Sequence, residues 1–256
     1  MKLSVTIITY NEEKNIQACI ESVLDVADEI IVVDSFSKDK TAEICQAFSK
    51  VKFMENPFSG HVEQKNFAIS QSNHEFVLSL DADERLSEKL KEEILEWKNN
   101  ENPVTDAFSM PRLNNYCGKW IRHSGWYPDR KVRLWNKNKG KWGGSNPHDK
   151  VILNENSNSQ NLKGQILHYT YQNTTQHDEQ IEKFTSIAAQ ESFRKNKKVF
   201  ILPHLILYPF YSFIKVYFVK LGILDGYYGL VLSLKHSRYK YLKYFKLYQL
   251  KKGANS

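Results

Sequence analysis

The chain has 256 residues, 41% hydrophobic and 25% charged, enough apolar content for one large core or a core with an appendage, which excludes a disordered polypeptide. Its three cysteines, Cys19, Cys45 and Cys117, are odd in number, far apart and without a CxxC or His-flanked spacing, so neither a disulfide framework nor a zinc site is indicated and a reducing compartment is expected. The net charge of +7 resides in residues 199–256, where Lys215, Lys220, Lys235, Arg238, Lys240, Lys243, Lys246, Lys251 and Lys252 face the single acid Asp225. With the aromatic residues around them, these bases indicate an anionic membrane surface as partner and not nucleic acid.

The N-terminus runs directly into a strand pattern without a small-residue cleavage site, so no export signal is expected. Apolar runs at 3–9, 29–34, 51–54, 76–80 and 107–110 read as strands. Between them, Ile16, Ile20, Val23 and Leu24 mark a helical stripe, Ala42, Cys45 and Phe48 a second, Val62, Phe67 and Ile69 a third, and Leu90, Ile94, Leu95 and Trp97 a fourth. This alternation predicts an α/β fold, a doubly wound and mostly parallel sheet with helices on both faces, whose ligands bind outside the carboxyl ends of the strands. From 112 to about 171 the pattern breaks into short aromatic and basic pieces, expected to form an acceptor-facing region. Strand 165–171 and helix 175–195 follow, the latter with Ile181, Phe184, Ile187 and Ala188 on one face. The expected organisation is a nucleotide-sugar half (1–111), an acceptor-binding and catalytic half (112–172) and a basic, amphipathic helical tail (173–256) separable after about Lys198.

The fourth strand ends in Asp81-Ala82-Asp83-Glu84. If extended geometry persists to Asp83, a side-chain period of two puts Asp81 and Asp83 on one side. Two hard oxygen ligands suit Mg²⁺ or Mn²⁺ completed by water and substrate phosphates, which implies a nucleotide-diphosphate substrate. The competing reading is a solvated loop that starts the next helix.

Four motifs occur in order: Ser4 to Glu13, Ile31 to Thr41, Gly60 to Asn66 and Leu80 to Glu84. Together they resemble the nucleotide-sugar half of inverting glycosyltransferases of family 2, which have the GT-A fold. Trp126 to Trp135, His148-Asp149, His168 to Tyr171 and Leu221 to Gly226 look more loosely like the branch that includes bacterial lipopolysaccharide-core glucosyltransferases. The resemblance implies that Thr9, Tyr10, Asn11, Glu12 and Asp34 hold the nucleotide base, a carboxylate being a suitable acceptor for the uracil N3–H. For Asn11 and Asp34 the alternative is a turn or helix cap. Asp81 would contact ribose or a metal-bound water and Asp83 the metal, with His168 a candidate third ligand. Lys65 could reach a phosphate, although a helical lysine is commonly a solvated surface charge.

The family places its catalytic base in an acidic pair beyond the Asp-x-Asp motif; here His148-Asp149 stands in that place, with His before Asp, which leaves the base between the two, Asp149 being the expected base and His148 able to orient it. Arg130 and Arg133 are candidates for diphosphate or anionic acceptor oxygens, but on a strand they point to opposite faces. In the tail, the uncharged run 199–214 is shorter than a membrane-spanning helix and is interrupted by Pro203, His204 and Pro209, which predicts an interfacial helical hairpin. Tyr241, Tyr244, Phe245 and Tyr248 recur at helical spacing beside it.

The expected activity is metal-dependent transfer of a hexose, glucose from UDP-glucose being the candidate donor, to a lipopolysaccharide-core or other lipid-linked glycan at the inner face of the plasma membrane. A nucleotidyltransferase is the enzymatic rival, though 9–15 lacks a glycine-rich phosphate loop. A non-catalytic, membrane-bound nucleotide-sugar-binding protein is the other.

Overall fold

The computed structural model describes residues 1–100, 105–145 and 148–254, apart from the side chains of Ser145 and His148. Contacts group the chain into two compact units, Met1–Leu113 with Asp129–His168, and Asn114–Pro128 with Tyr169–Ser256. The segment 112–172 is therefore shared between the units, because β-strands leave the first unit, contribute to the second and return.

In chain order the first unit opens with β1 (Leu3–Thr9), α1 (Ile16–Val23), β2 (Glu29–Asp34), α2 (Thr41–Gln46), β3 (Val51–Glu55), α3 (His61–Ser70), β4 (Phe76–Asp81), β5 (Glu84–Leu86) and α4 (Glu88–Lys98). Next come β6 (Ala107–Tyr116), β7 (Lys119–Ile121), β8 (Asp129–Asn136), β9 (Gly140–Ser145), β10 (His148–Leu153), β11 (Ser159–Asn161) and β12 (Ile166–Tyr171). Strands β3, β2, β1 and β4 are adjacent and parallel, and β8 and then β6 extend the sheet antiparallel. The sheet is thus mixed, with its parallel half formed by the first four strands.

Alternation along the strands assigns the helices to faces. Leu3, Val5, Ile7, Ile30 and Val32 pack with Ile16, Cys19, Ile20 and Val23 of α1, Cys45 of α2, and Leu90, Ile94 and Trp97 of α4. Ile31 and Val33 face the other way and meet Ala68 of α3, while Ile69 packs with Val77, Trp135 and Trp142. Ser87 caps α4 by accepting from the Leu90 amide at 3.3 Å.

The second unit contains β7, α5 (Thr174–Arg194), a helix from Ile201 to Val219 and α7 (Tyr227–Gly253). The helix from Ile201 is regular over α6 (Tyr208–Ile214) and π-helical on both sides. The expected hairpin within 199–222 is therefore one helix of 19 residues, packed against α7. Pro203 and Pro209 are accommodated because π-helical turns and the start of α6 tolerate their missing amides. By length and composition alone this helix could cross a membrane, and 17% of its most apolar window is buried. Along α5 the buried positions are Ile181, Thr185, Ala189 and Ser192, whereas Ile187 is 52% exposed, so the face predicted from apolarity is rotated toward small residues.

Tyr116, Ile121 and Leu232 form the buried centre of this unit. The tail supplies Leu232, so it is not a separable appendage after Lys198. The turn between the two long helices requires its glycines: a Cβ on Gly229 would lie 1.7 Å from the Gly222 carbonyl oxygen. Asp225, buried in the same turn, accepts from the Arg122 and His123 amides, both at 3.1 Å, and from the Ser124 hydroxyl at 2.8 Å.

Candidate active site

Parallel register brings Thr9 beside Asp34 and Ile8 beside Asp81, so the polar residues after β1, β2 and β4 converge at the carboxyl edge, where open α/β sheets bind ligands. Asn11 adopts φ 54°, a conformation asparagine tolerates. Its amide donates to Ser37 Oγ at 2.8 Å, and its Oδ1 accepts from the Lys38 amide at 2.8 Å. Asp34 is wholly buried and accepts from the Ser37 amide at 2.6 Å and hydroxyl at 2.5 Å. Two carboxylate oxygens carry about four acceptor positions, so Asp34 both builds this loop and retains acceptor capacity. Glu12 anchors the loop through its amide, which donates to Thr41 Oγ1 at 2.8 Å. Burial raises its carboxyl above the usual range and nearby Asp83, Asp39 and Asp81 add to that, against the Asn15 hydrogen bond. Tyr10 is 54% exposed, and the buried Thr9 hydroxyl lacks a hydrogen-bond partner among the described residues.

Strand β4 ends at Asp81 and the chain turns through Ala82 and Asp83. The extended geometry expected to align both aspartates is absent, and they take different partners. Asp81 accepts from Lys65 Nζ, 2.9 Å away, and from Arg133 Nη2 at 3.0 Å. Burial by itself would raise its carboxyl; Lys65 and Arg133 outweigh burial and hold it well below the usual carboxylate range. Asp83 instead meets His168, Oδ2 to Nε2, at 3.1 Å. Burial opposes protonation of that imidazole, but the Asp83 charge prevails and raises its pKa.

Lys65 and Arg133 are each 3% exposed, so Lys65 is not the solvated charge its helical position suggested. A buried cation needs close counter-charges. Lys65 finds them in Asp81 and in Asp149, whose Oδ2 lies 2.8 Å from Nζ. Arg133 pairs with Asp81 and with the wholly buried Glu84 at 2.7 Å. The Trp142 indole underlies both, 4.3 Å from Lys65 Nζ and 5.1 Å from the guanidinium carbon. It is held by Asn66, which exchanges two hydrogen bonds with the Trp142 backbone, and by its own Nε1–H to Ser79 Oγ at 3.2 Å. Arg133 Nε and Nη1 are buried donors without a partner among the described residues. Lys65, Asp81, Arg133, Trp142 and Asp149 line a cleft of about 590 Å³ with Arg112, Lys131 and Lys150.

Arg130 borders the cleft but is exposed, and its guanidinium donates to the Ser109 and Leu162 carbonyls at 3.4 and 3.2 Å. Asp149 stands opposite Gly144 in the β9–β10 hairpin. His148 begins β10, and its side chain lies outside the described residues. Glu84 and Trp142 were not singled out as site residues from sequence. Glu84 carried the only usable signal, as the third carboxylate of its motif, while nothing local distinguishes Trp142 from a core tryptophan.

Whether a divalent cation fits can be judged from the donors. Asp81 is engaged by two cations, whereas Asp83 and His168 present one oxygen and one imidazole nitrogen close together. No group of three such donors occurs among the described residues. Two protein ligands fit Mg²⁺ or Mn²⁺ when water and diphosphate oxygens complete the shell.

The sequence model for glycosyl transferase family 2 matches residues 4–156. An uncharacterized glycosyltransferase of Rickettsia typhi is 30% identical over 97% of this chain and 87% of its own length. A protein of Rhizobium meliloti named lipopolysaccharide core biosynthesis glycosyltransferase LpsC is 28% identical over 97% of this chain and 93% of its own. Among solved structures, Staphylococcus aureus TarS residues 1–349 in complex with UDP-GlcNAc aligns over 99% of this chain and 92% of that one, with 15% identity and a TM-score of 0.49. With the family match covering more than half of the chain and a 30% identical relative matching nearly all of it, the chain belongs to glycosyl transferase family 2 and is a glycosyltransferase of GT-A fold.

Proposed function

We propose that the first unit binds a UDP-hexose, with UDP-glucose the candidate donor, and transfers the sugar with inversion to a lipopolysaccharide-core or other lipid-linked glycan. The observation that carries this reading is the buried Arg133, which lines a polar cleft beside Lys65 and whose Nε and Nη1 have no hydrogen-bond partner among the described residues; guanidinium donors suit the oxygens of a diphosphate. Asp34 accepts from the uracil N3–H, Asn11 and Glu12 hold the loop around the base, and the exposed Tyr10 ring supplies a stacking face. Asp83 and His168 would hold Mg²⁺ or Mn²⁺, which when bound offsets negative charge on the leaving diphosphate.

Lys65 lies between Asp81 and Asp149, so a diphosphate oxygen that attracts its ammonium loosens the pair with Asp149. Asp149 then takes the proton of the acceptor hydroxyl as its oxygen bonds to the anomeric carbon, while the bond from that carbon to the β-phosphate oxygen breaks and UDP leaves. Arg133 stays in place beneath the diphosphate because Glu84 holds it. The likeness to the LpsC protein supports a lipopolysaccharide-core acceptor, and the exposed apolar helix with its basic surroundings supports peripheral association with the cytoplasmic face of the inner membrane.

Calorimetric titration with UDP-glucose, UDP-galactose and UDP-GlcNAc, with and without Mn²⁺, tests the donor assignment. Saturable, Mn²⁺-strengthened binding of one UDP-sugar is expected, with Asp83→Ala abolishing the Mn²⁺ effect. Equal binding in EDTA, or no preference for UDP over other nucleotides, would overturn the assignment.

A further inference from the structure

The second unit contains a cavity of about 620 Å³ between the helix Ile201–Val219 and α7, distinct in its residues from the catalytic cleft. Lys215, Lys220 and Lys240 line it with His236, Tyr208 and Tyr211. The carboxylates of this unit that form ion pairs are directed elsewhere. Asp178 and Glu182 of α5 hold Lys235, Arg238 and Lys246, Glu191 holds Lys195, and Asp225 holds the turn at His123. None of the three cavity lysines has an ion-pair partner among the described residues. Like charges gathered around one cavity repel, and the arrangement lowers its energy when an anion enters.

The neighbouring His236 records that field: burial lowers its pKa first, and Lys240 and Lys215 lower it further. The helix Ile201–Val219 that forms one wall also carries exposed apolar side chains, with Leu207 50%, Phe210 66%, Tyr211 62%, Phe218 51% and Val219 68% exposed. A soluble anion would need the lysines alone. Cations at the centre with exposed aromatic and aliphatic side chains on the same helix match a molecule that joins phosphate to hydrocarbon.

We infer that this cavity is a receptor for the phosphate headgroup of an anionic membrane phospholipid, seated among Lys215, Lys220 and Lys240 while the helix Ile201–Val219 lies along the acyl boundary. The inference builds on the membrane association proposed above and is independent of the identity of the sugar donor.

The test compares the full chain with two triple variants of equal charge, K215Q/K220Q/K240Q and K197Q/K198Q/K252Q, by sedimentation with vesicles of equimolar phosphatidylcholine and phosphatidylglycerol. Diffuse attraction weighs each lysine alike, about fivefold per residue, so both variants would fall together. A built receptor predicts that the cavity variant falls at least about tenfold further than the other. Equal losses would overturn the receptor yet leave membrane association standing; no binding by the unaltered chain would overturn both. As a measurement that needs no variant, acetylation of the unaltered chain should be slowed at Lys215, Lys220 and Lys240 by a short-chain, soluble phosphatidylglycerol, relative to Lys197 and Lys198. Equal protection by inorganic phosphate or by a sugar phosphate would replace the lipid with a free anion or a phosphorylated glycan, and no protection would remove the site.

Discussion

Each unit gathers cations around a cavity, but only the first neutralises them from within. Lys65 and Arg133 are almost wholly buried and are met by Asp81, Glu84 and Asp149, whereas Lys215, Lys220 and Lys240 border an open cavity without carboxylates. Burial accounts for the difference. A charge removed from water needs a counter-charge if the fold is to persist, while a charge at a wet surface keeps its hydration and can await a ligand. The cleft of the first unit is therefore set in position by its own ion pairs. The second cavity depends on what binds there for its compensation.

The sharpest way to break that comparison is to remove a buried cation. Arg133→Met should lower the stability of the first unit by about 3 kcal/mol, because the wholly buried Glu84 loses its partner at 2.7 Å and keeps only Arg112 at 3.5 Å; urea unfolding would reveal this, along with loss of turnover. A change of under about 1 kcal/mol would show that Glu84 protonates or finds water. Asp149→Asn removes a proton acceptor but keeps the shape, so kcat should fall at least about 10²-fold with little change in donor affinity. Steady-state kinetics with near-normal kcat would move the base elsewhere and direct attention to His148.

In the second unit the expected effects are smaller. Lys246 reaches α5, donating to the Glu182 carbonyl, Thr185 Oγ1 and Ser186 Oγ and pairing with the Glu182 carboxylate at 2.7 Å. Its head is partly exposed, so Lys246→Ala should cost about 1–2 kcal/mol, against less than about 0.5 kcal/mol for Lys243→Ala. Equal effects in chemical denaturation would mean that the α5 contacts contribute nothing. Lys246 is thus committed to internal packing and is a poor probe of membrane charge.

His177 gives the most conditional effect, absent at neutral pH. Its ring stacks on Tyr171 and hydrogen-bonds the Tyr116 hydroxyl at 3.1 Å, and burial, followed by the charge of Lys235, lowers its pKa from 6.5 to about 4. Between those values the unfolded chain takes up a proton that the folded chain refuses, so stability should fall as pH drops from 6.5 toward 4 and show no His177 contribution above 6.5. His177→Asn should flatten that part of the pH profile in thermal unfolding. An unchanged slope would assign the acid sensitivity to carboxylates.

What the sequence determined by itself was whatever repeats over a few residues. The stripe Ile16, Ile20 and Val23 became the buried face of α1, the run from Phe76 became β4, and the acidic motif fell at its carboxyl end, because periodicity and strand termination are local properties of the chain. Strand parity also separated Arg130 from Arg133, although it could not say which of them is buried among carboxylates. Only tertiary packing decided that Lys65 is buried between Asp81 and Asp149, 84 residues away, that Trp142 underlies both cations, and that Asp81 and Asp83 part company at a turn. Packing likewise decided that Asp178 and Glu182 neutralise Lys235, Arg238 and Lys246 but leave Lys215, Lys220 and Lys240. A charge acquires its role from its burial and from the counter-charges within a few ångströms, and those follow from how distant segments meet.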